Sequence, residues 1–93
     1  MKYFEELEKD PKIKNYFDRL IGIDINEACK KLGYWWRCSF SSWPYYHFER
    51  SAGGRVELRT NEKNIVESVH YNGYALLFAK IDIYDYKVNR KAC

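Results

Sequence analysis

The sequence predicts an α+β domain: three N-terminal helices packed on one face of a four- to five-stranded antiparallel meander sheet. Three observations predict it. Apolar residues recur at helical spacing as far as Gly33. From Tyr34 onward the period changes to alternation, the signature of strands. Short turn-forming stretches separate the alternating runs, so successive strands pair as antiparallel neighbours. The 93 residues make a single domain. It divides into a helical part (3–33), a sheet (34–84) and a charged tail (85–93).

Residues 3–9 read as a short helix with Tyr3, Phe4 and Leu7 on one side. Asp10-Pro11 restarts the chain, because Asp caps a helix and Pro suits its first position, where the missing N–H costs nothing. Ile13, Tyr16, Phe17, Leu20 and Ile21 then follow at helical spacing, and Gly22 ends that helix. Asp24 and Glu27 stand at capping-box spacing before a third stripe of Ile25, Ala28, Cys29 and Leu32, closed by Gly33. Cys29 on such a stripe reads as a small buried hydrophobe.

Five strands are expected, at Tyr34–Phe40, Tyr45–Arg50, Arg55–Thr60, Ile65–Tyr71 and Tyr74–Ile83. The turns between the first four are Ser41-Ser42-Trp43-Pro44, Ser51-Ala52-Gly53-Gly54 and Asn61-Glu62-Lys63-Asn64. Asn72-Gly73 between two β-rich runs predicts a two-residue type I′ hairpin. That hairpin sets a register. Val56, Leu58, Ile65, Val69, Leu76 and Phe78 then share the side the helices cover.

Carried back through the turns, the same parity puts Tyr34, Trp36, Cys38, Phe40, Tyr45, His47 and Glu49 on the helix side. Trp35, Arg37, Tyr46, Phe48, Arg50, Arg55 and Arg59 fall on the opposite side. The expected partner-binding residues are therefore Trp35, Arg37, Tyr46, Phe48, Arg50 and Arg59, of the types that concentrate in interface hot spots. A second reading stays open. A bulge near Ser41–Pro44 or Gly53-Gly54 flips a strand, burying Tyr46 and Phe48 and exposing His47 and Glu49, whose burial would demand partners.

Composition bounds the function. Aromatics make up 18% of the chain, so some reach the surface, where Tyr and Trp serve as binding anchors. Sixteen Lys and Arg against 13 Asp and Glu give a net charge of +3, too mild to imply nucleic acid or a membrane by itself. Three cysteines, at 29, 38 and 93, form no C-x-x-C and predict no disulfide framework. The charged start, Met1 to Glu8, is unlike a secretory signal, and no apolar run approaches a membrane span. The expected location is cytoplasmic.

No nucleophile motif, Gly-rich phosphate loop or H-E-x-x-H occurs. No catalytic residue, metal ligand or cofactor is expected, and the chain reads as a non-enzyme. A four-residue turn at 41–44 places Cys38 opposite His47, with Glu49 two residues on. Such a pair suits an activated thiol or half a metal site, but two neighbours in a packed sheet explain it as well.

The stretch Leu20-Ile-Gly-Ile-Asp-Ile-Asn-Glu-Ala-Cys-Lys-Lys-Leu-Gly33, a capped helix closing on Leu-Gly before a meander, resembles the opening of β-lactamase-inhibitor-like and outer-membrane-assembly lipoprotein modules and of small bacterial immunity-type proteins. Asn64-Ile-Val-Glu-Ser-Val-His-Tyr71 resembles their strand after a polar turn. The resemblance implies a non-enzymatic protein binder. The expected function is thus an inhibitor or immunity protein that neutralises a toxin or enzyme by direct binding, with a homodimer as another use of the surface. The alternative is a single-stranded nucleic-acid binder that stacks bases on the aromatic and arginine face.

Overall fold

The computed structural model describes residues 2–33, 35–50 and 53–84. The charged tail with Cys93, the expected strand residue Tyr34 and the turn residues Ser51 and Ala52 lie outside the described residues. The element order is α1 (Lys2–Lys9), α2 (Pro11–Asp18), α3 (Ile25–Leu32), β1 (Arg37–Ser42), β2 (Tyr45–Arg50), β3 (Gly54–Thr60), β4 (Val66–Tyr71) and α4 (Gly73–Tyr84). The four strands form one antiparallel sheet in the order β1-β2-β3-β4.

Local chemistry sets the helix starts. Asp10 accepts the Lys12 N–H at 2.9 Å, with Pro11 in the first position of α2. Asp24 accepts the Asn26 N–H at 2.8 Å. Glu27, at capping-box distance, instead pairs with Lys30 at 3.5 Å. Gly22 and Gly33 take φ of +91° and +88°, a region that L side chains rarely enter, and so turn the chain out of the helical segments.

The expected fifth strand is a helix. Residues 73–84 form α4, and Asn72-Gly73 makes no hairpin. Asn72 caps α4 instead: its Oδ1 accepts the Ala75 N–H at 2.9 Å and the Arg55 N–H at 3.1 Å, while its Nδ2 donates to the Gly53 carbonyl at 2.7 Å. One asparagine thus ties the α4 start to the β2–β3 connection. The apolar run from Tyr74 to Ile83 lies within this helix. As a helix it satisfies its own backbone and buries Ala75, Leu76 and Ala79.

α4 packs against β3, and α1 and α2 pack against α4. The core gathers Phe17, Ile13 and Leu20 with Phe48, Val56, Leu58 and Val66, all nearly or wholly inaccessible. Phe17 stacks on Tyr71 at 4.6 Å and meets Trp36 edge-on at 6.2 Å, which links α2 to the end of β4 and to the residue before β1. Gly54 marks the closest approach of α4 to the sheet. A Cβ built there would stand 2.6 Å from the Phe78 ring.

A buried polar cluster joins α2, β2 and α4. Asp82 Oδ2 accepts the Tyr16 hydroxyl at 2.6 Å and Arg50 Nη1 at 2.8 Å. The Arg50 guanidinium also lies over the rings of Phe78 at 4.3 Å and Trp36 at 5.3 Å. Burial, and next the bond to Asp82, push the Tyr16 hydroxyl well above the usual tyrosine range.

The segment before α3 covers the start of the β4 edge: Gly22 N–H donates to Val66 O and Val66 N–H to Ile23 O, each at 2.8 Å. At the tight 61–64 turn, Asn61 Oδ1 accepts the N–H groups of Lys63 and Ile65. A four-residue 61–64 turn predicts Leu58 opposite Glu67 and Val56 opposite Val69; instead Thr60 pairs with Val66, one residue later, and a register shift between Arg59 and Thr60 adds one more, so Leu58 faces Val69 and Val56 faces Tyr71. A slip of two preserves the face, so Val56, Leu58 and Val69 do share a side.

Candidate functional site

β3 alternates with every second residue buried, from Gly54 through Val56 and Leu58 to Thr60. Arg55, Glu57 and Arg59 therefore point to the opposite, outer side. Register carries that side across the sheet, because directly opposed residues share a face. Arg37, Glu49 and Arg55 make one row. Phe40, His47, Glu57 and His70 make the next. Ser42, Tyr45, Arg59 and Ser68 make a third.

The rows alternate in charge. Glu49 is flanked by Arg37 and Arg55, and Arg37 Nη2 lies 3.8 Å from Glu49 Oε1. Glu57 is flanked by His47 and His70, with His47 Nδ1 3.6 Å from its Oε2. Arg59 lies over the Tyr45 ring at 5.7 Å and reaches Glu67 at 3.8 Å. Phe40 tilts against the His47 ring at 5.7 Å and is 58% exposed. The face thus holds three arginines (37, 55, 59) against three glutamates (49, 57, 67).

Two open grooves run along it. The larger, about 580 Å³, is lined by Phe40, His47, Glu57 and His70, together with Arg55 and Tyr71. The smaller lies between Trp43, Pro44, Arg59 and Glu67. Trp43 is 56% exposed, with its Nε1 donating to the Asn61 carbonyl at 3.0 Å, and it extends the row of accessible rings beyond Phe40 and Tyr45.

The residues expected to bind a partner do not assemble on one surface. Arg37 and Arg59 stand on the outer face. Phe48 is in the core opposite Val56, and Tyr46, opposite Leu58, packs against the core from the same inner side. Arg50 is committed to Asp82, with only 10% of its side chain exposed. Trp35 is exposed but precedes β1, within 5.9 Å of the Arg50 guanidinium.

The physical reason is one residue of register. Arg50 pairs with Gly54, which leaves three residues between the paired positions where the sequence reading has four. A one-residue slip turns every side chain of β2 over. The second reading offered by the sequence, with Tyr46 and Phe48 in and His47 and Glu49 out, is the arrangement observed. Phe40, Tyr45, His47 and Glu49 therefore stand on the outer side, not on the helix side that the turn parity predicts. The signal that finds them is the demand of His47 and Glu49 for polar neighbours.

Cys38 and His47 do not meet. A bulge between Cys38 and Phe40 sets Cys38 opposite Phe48 and Phe40 opposite His47, and the Cys38 thiol donates to the Phe40 carbonyl at 3.6 Å. Burial pushes the Cys29 thiol up, the direction that suppresses thiolate. Among the described residues no helix is long and apolar enough to cross a membrane. Compared with known proteins, the chain matches no family model, no curated protein and no solved structure.

Proposed function

We propose that the chain is a small protein-binding module whose docking surface is the outer face of the sheet, and that it acts as an inhibitor or immunity protein by direct binding to a toxin or enzyme. The reading takes the helices to lie on the inner side, where Phe48, Val56 and Leu58 are buried, and leaves the outer side to the partner. One observation carries it: three accessible rings, Phe40, Trp43 and Tyr45, lie along a face whose arginines and glutamates balance. Aromatic and arginine side chains are the usual anchors of protein interfaces.

A charge-balanced face suits a protein partner better than a polyanion. Phosphate binding favours a single-sign surface, whereas here each arginine has a carboxylate nearby or opposite. The stacking platform of the nucleic-acid reading also loses Phe48 to the core and Arg50 to Asp82.

Capture from the native cell lysate tests this, with the wild-type chain and a Phe40→Ala/Tyr45→Ala variant compared side by side. Both residues are exposed, so the variant keeps its melting temperature. A protein retained by the wild type and weakened at least ~30-fold by the variant, the equivalent of ~2 kcal/mol, supports the reading. Equal retention by both chains, or retention of nucleic acid that falls steeply with salt, overturns it.

A further inference from the structure

We infer that Asn72 is a deamidation site guarded by the fold, and that its conversion releases the start of α4 from the β2–β3 connection. Asn72 is the one asparagine of the chain that glycine follows. In such a pair the glycine nitrogen can attack the side-chain amide carbon, because no Cβ on the glycine obstructs the approach. A bond forms between Gly73 N and Asn72 Cγ. The side-chain nitrogen leaves as ammonia, taking the proton of the Gly73 N–H, and a five-membered succinimide ring results. Water, the only co-reactant, then opens the ring at either carbonyl. The product is aspartate or isoaspartate, with a carboxylate where the amide stood.

The folded chain clamps the reacting amide at both ends. Asn72 Oδ1 accepts the Ala75 N–H at 2.9 Å and the Arg55 N–H at 3.1 Å, and Nδ2 donates to the Gly53 carbonyl at 2.7 Å. The main chain is held as well, with the Asn72 N–H on the Arg55 carbonyl at 3.2 Å. Ring closure swings Cγ onto Gly73 N and carries Oδ1 and Nδ2 away from these partners. Gly73 is itself fixed as the first residue of α4. The helix is anchored in turn by buried Ala75, Leu76 and Ala79 and by the close approach of Phe78 to Gly54. The amide is therefore free to react only when the start of α4 opens, locally or with the whole fold.

The product does not fit the clamp it leaves. An ionised carboxylate at position 72 still accepts the Ala75 N–H, but it has no N–H for the Gly53 carbonyl and sets a negative charge against that oxygen. Isoaspartate also adds a methylene to the main chain ahead of Gly73, which moves the cap off the helix start. Either product removes the tie between α4 and Gly53. The reaction requires no protein partner, so its test is separate from that of the docking face.

The test is peptide mass spectrometry of the full-length chain incubated at pH 7.5, in native buffer and in concentrated urea. In urea the mass gain of deamidation should fall first on Asn72 and should slow in Gly73→Ala, whose methyl group hinders the attack. In native buffer the gain at Asn72 should be at least about tenfold slower than in urea. Asn72→Asp, which carries one product from the start, should melt at least about 4 °C below the wild type, the effect of one lost hydrogen bond in a domain of this size. Equal rates in native buffer and urea, a gain that falls first on another asparagine, a gain undiminished in Gly73→Ala, or an Asn72→Asp chain that melts with the wild type overturns the assignment.

Discussion

Asp82→Ala removes the acceptor that Arg50 and Tyr16 share in the contact joining α4 to β2 and α2. Asp82 Oδ2 takes a 2.6 Å bond from Tyr16 and a 2.8 Å bond from Arg50, and the two charged side chains are only 10% and 15% exposed. The variant leaves a guanidinium buried without a counter-charge, a loss of about 3–5 kcal/mol. Stacking on Phe78 at 4.3 Å and Trp36 at 5.3 Å keeps part of that cation's stabilisation, so the low end, about 3 kcal/mol, is expected. At about 4–8 °C per kcal/mol for a domain of this size, the melting temperature falls by about 12–24 °C. Urea and thermal melts followed by circular dichroism measure it. A double-mutant cycle with Arg50→Met should show strong coupling, because removing both partners leaves no orphaned charge. The exposed pair is the control: Glu49→Ala, which removes a contact at 3.8 Å with Arg37 81% exposed, should cost at most ~1 kcal/mol. A loss below ~1 kcal/mol in Asp82→Ala, or strict additivity in the cycle, refutes the reasoning.

Other substitutions follow from the same packing. Gly73→Ala should leave stability unchanged or raise it by up to ~1 kcal/mol, since Gly73 opens a helix; a type I′ hairpin there would make the same change destabilising. Gly54→Ala should cost about 1–3 kcal/mol, because the new methyl meets the Phe78 ring at 2.6 Å, and an unchanged melting temperature would show that α4 does not approach β3 so closely. Above pH 10 stability should decline. The folded chain holds the Tyr16 proton to higher pH than the unfolded chain does, so the stabilisation is complete below the ordinary tyrosine value of about 10 and is lost as pH rises above it. Tyr71, raised mainly by burial, adds to the decline. Thermal melts at pH 9 and 11 should differ less for Tyr16→Phe than for the wild type; equal differences would contradict this.

What the sequence made legible is what local chemistry decides. Asp10-Pro11 and Asp24 announce α2 and α3 because each capping carboxylate accepts an N–H two residues on. The existence of the four strands and the shared side of Val56, Leu58 and Val69 follow from alternation within each run, whereas two of the expected turns are shorter than read: Ser41 and Ser42 belong to β1 and Gly54 to β3. Asn72-Gly73 misled because the same dipeptide serves a hairpin turn or a helix start. What decides between them is the packing of Ala75, Leu76 and Ala79 against the rest of the core. The stretch from Gly73 to Tyr84 is apolar nearly all round, so periodicity does not separate strand from helix there; its 12 residues, longer than most strands, are the better guide.

The candidate face was harder to read, because it hangs on whether three or four residues separate Arg50 from its partner. Composition is blind to that count. Only the balance of burying Phe48 and exposing His47, or the reverse, settles it, and the aromatic ring wins the interior. Gly54 shows the same limit. As part of a Gly-Gly pair between strands it reads as a turn residue, yet it lies within β3 where Phe78 leaves no room for a methyl group.

The docking claim is tested most directly by mapping amide chemical-shift changes when a captured partner is titrated into labelled chain. The account predicts that the changes concentrate on the outer-face positions of β1, β2 and β3, at Phe40, Tyr45, His47 and Arg59, and on Trp43 beside them. Changes concentrated on α1 and α2, with the outer face silent, would contradict it.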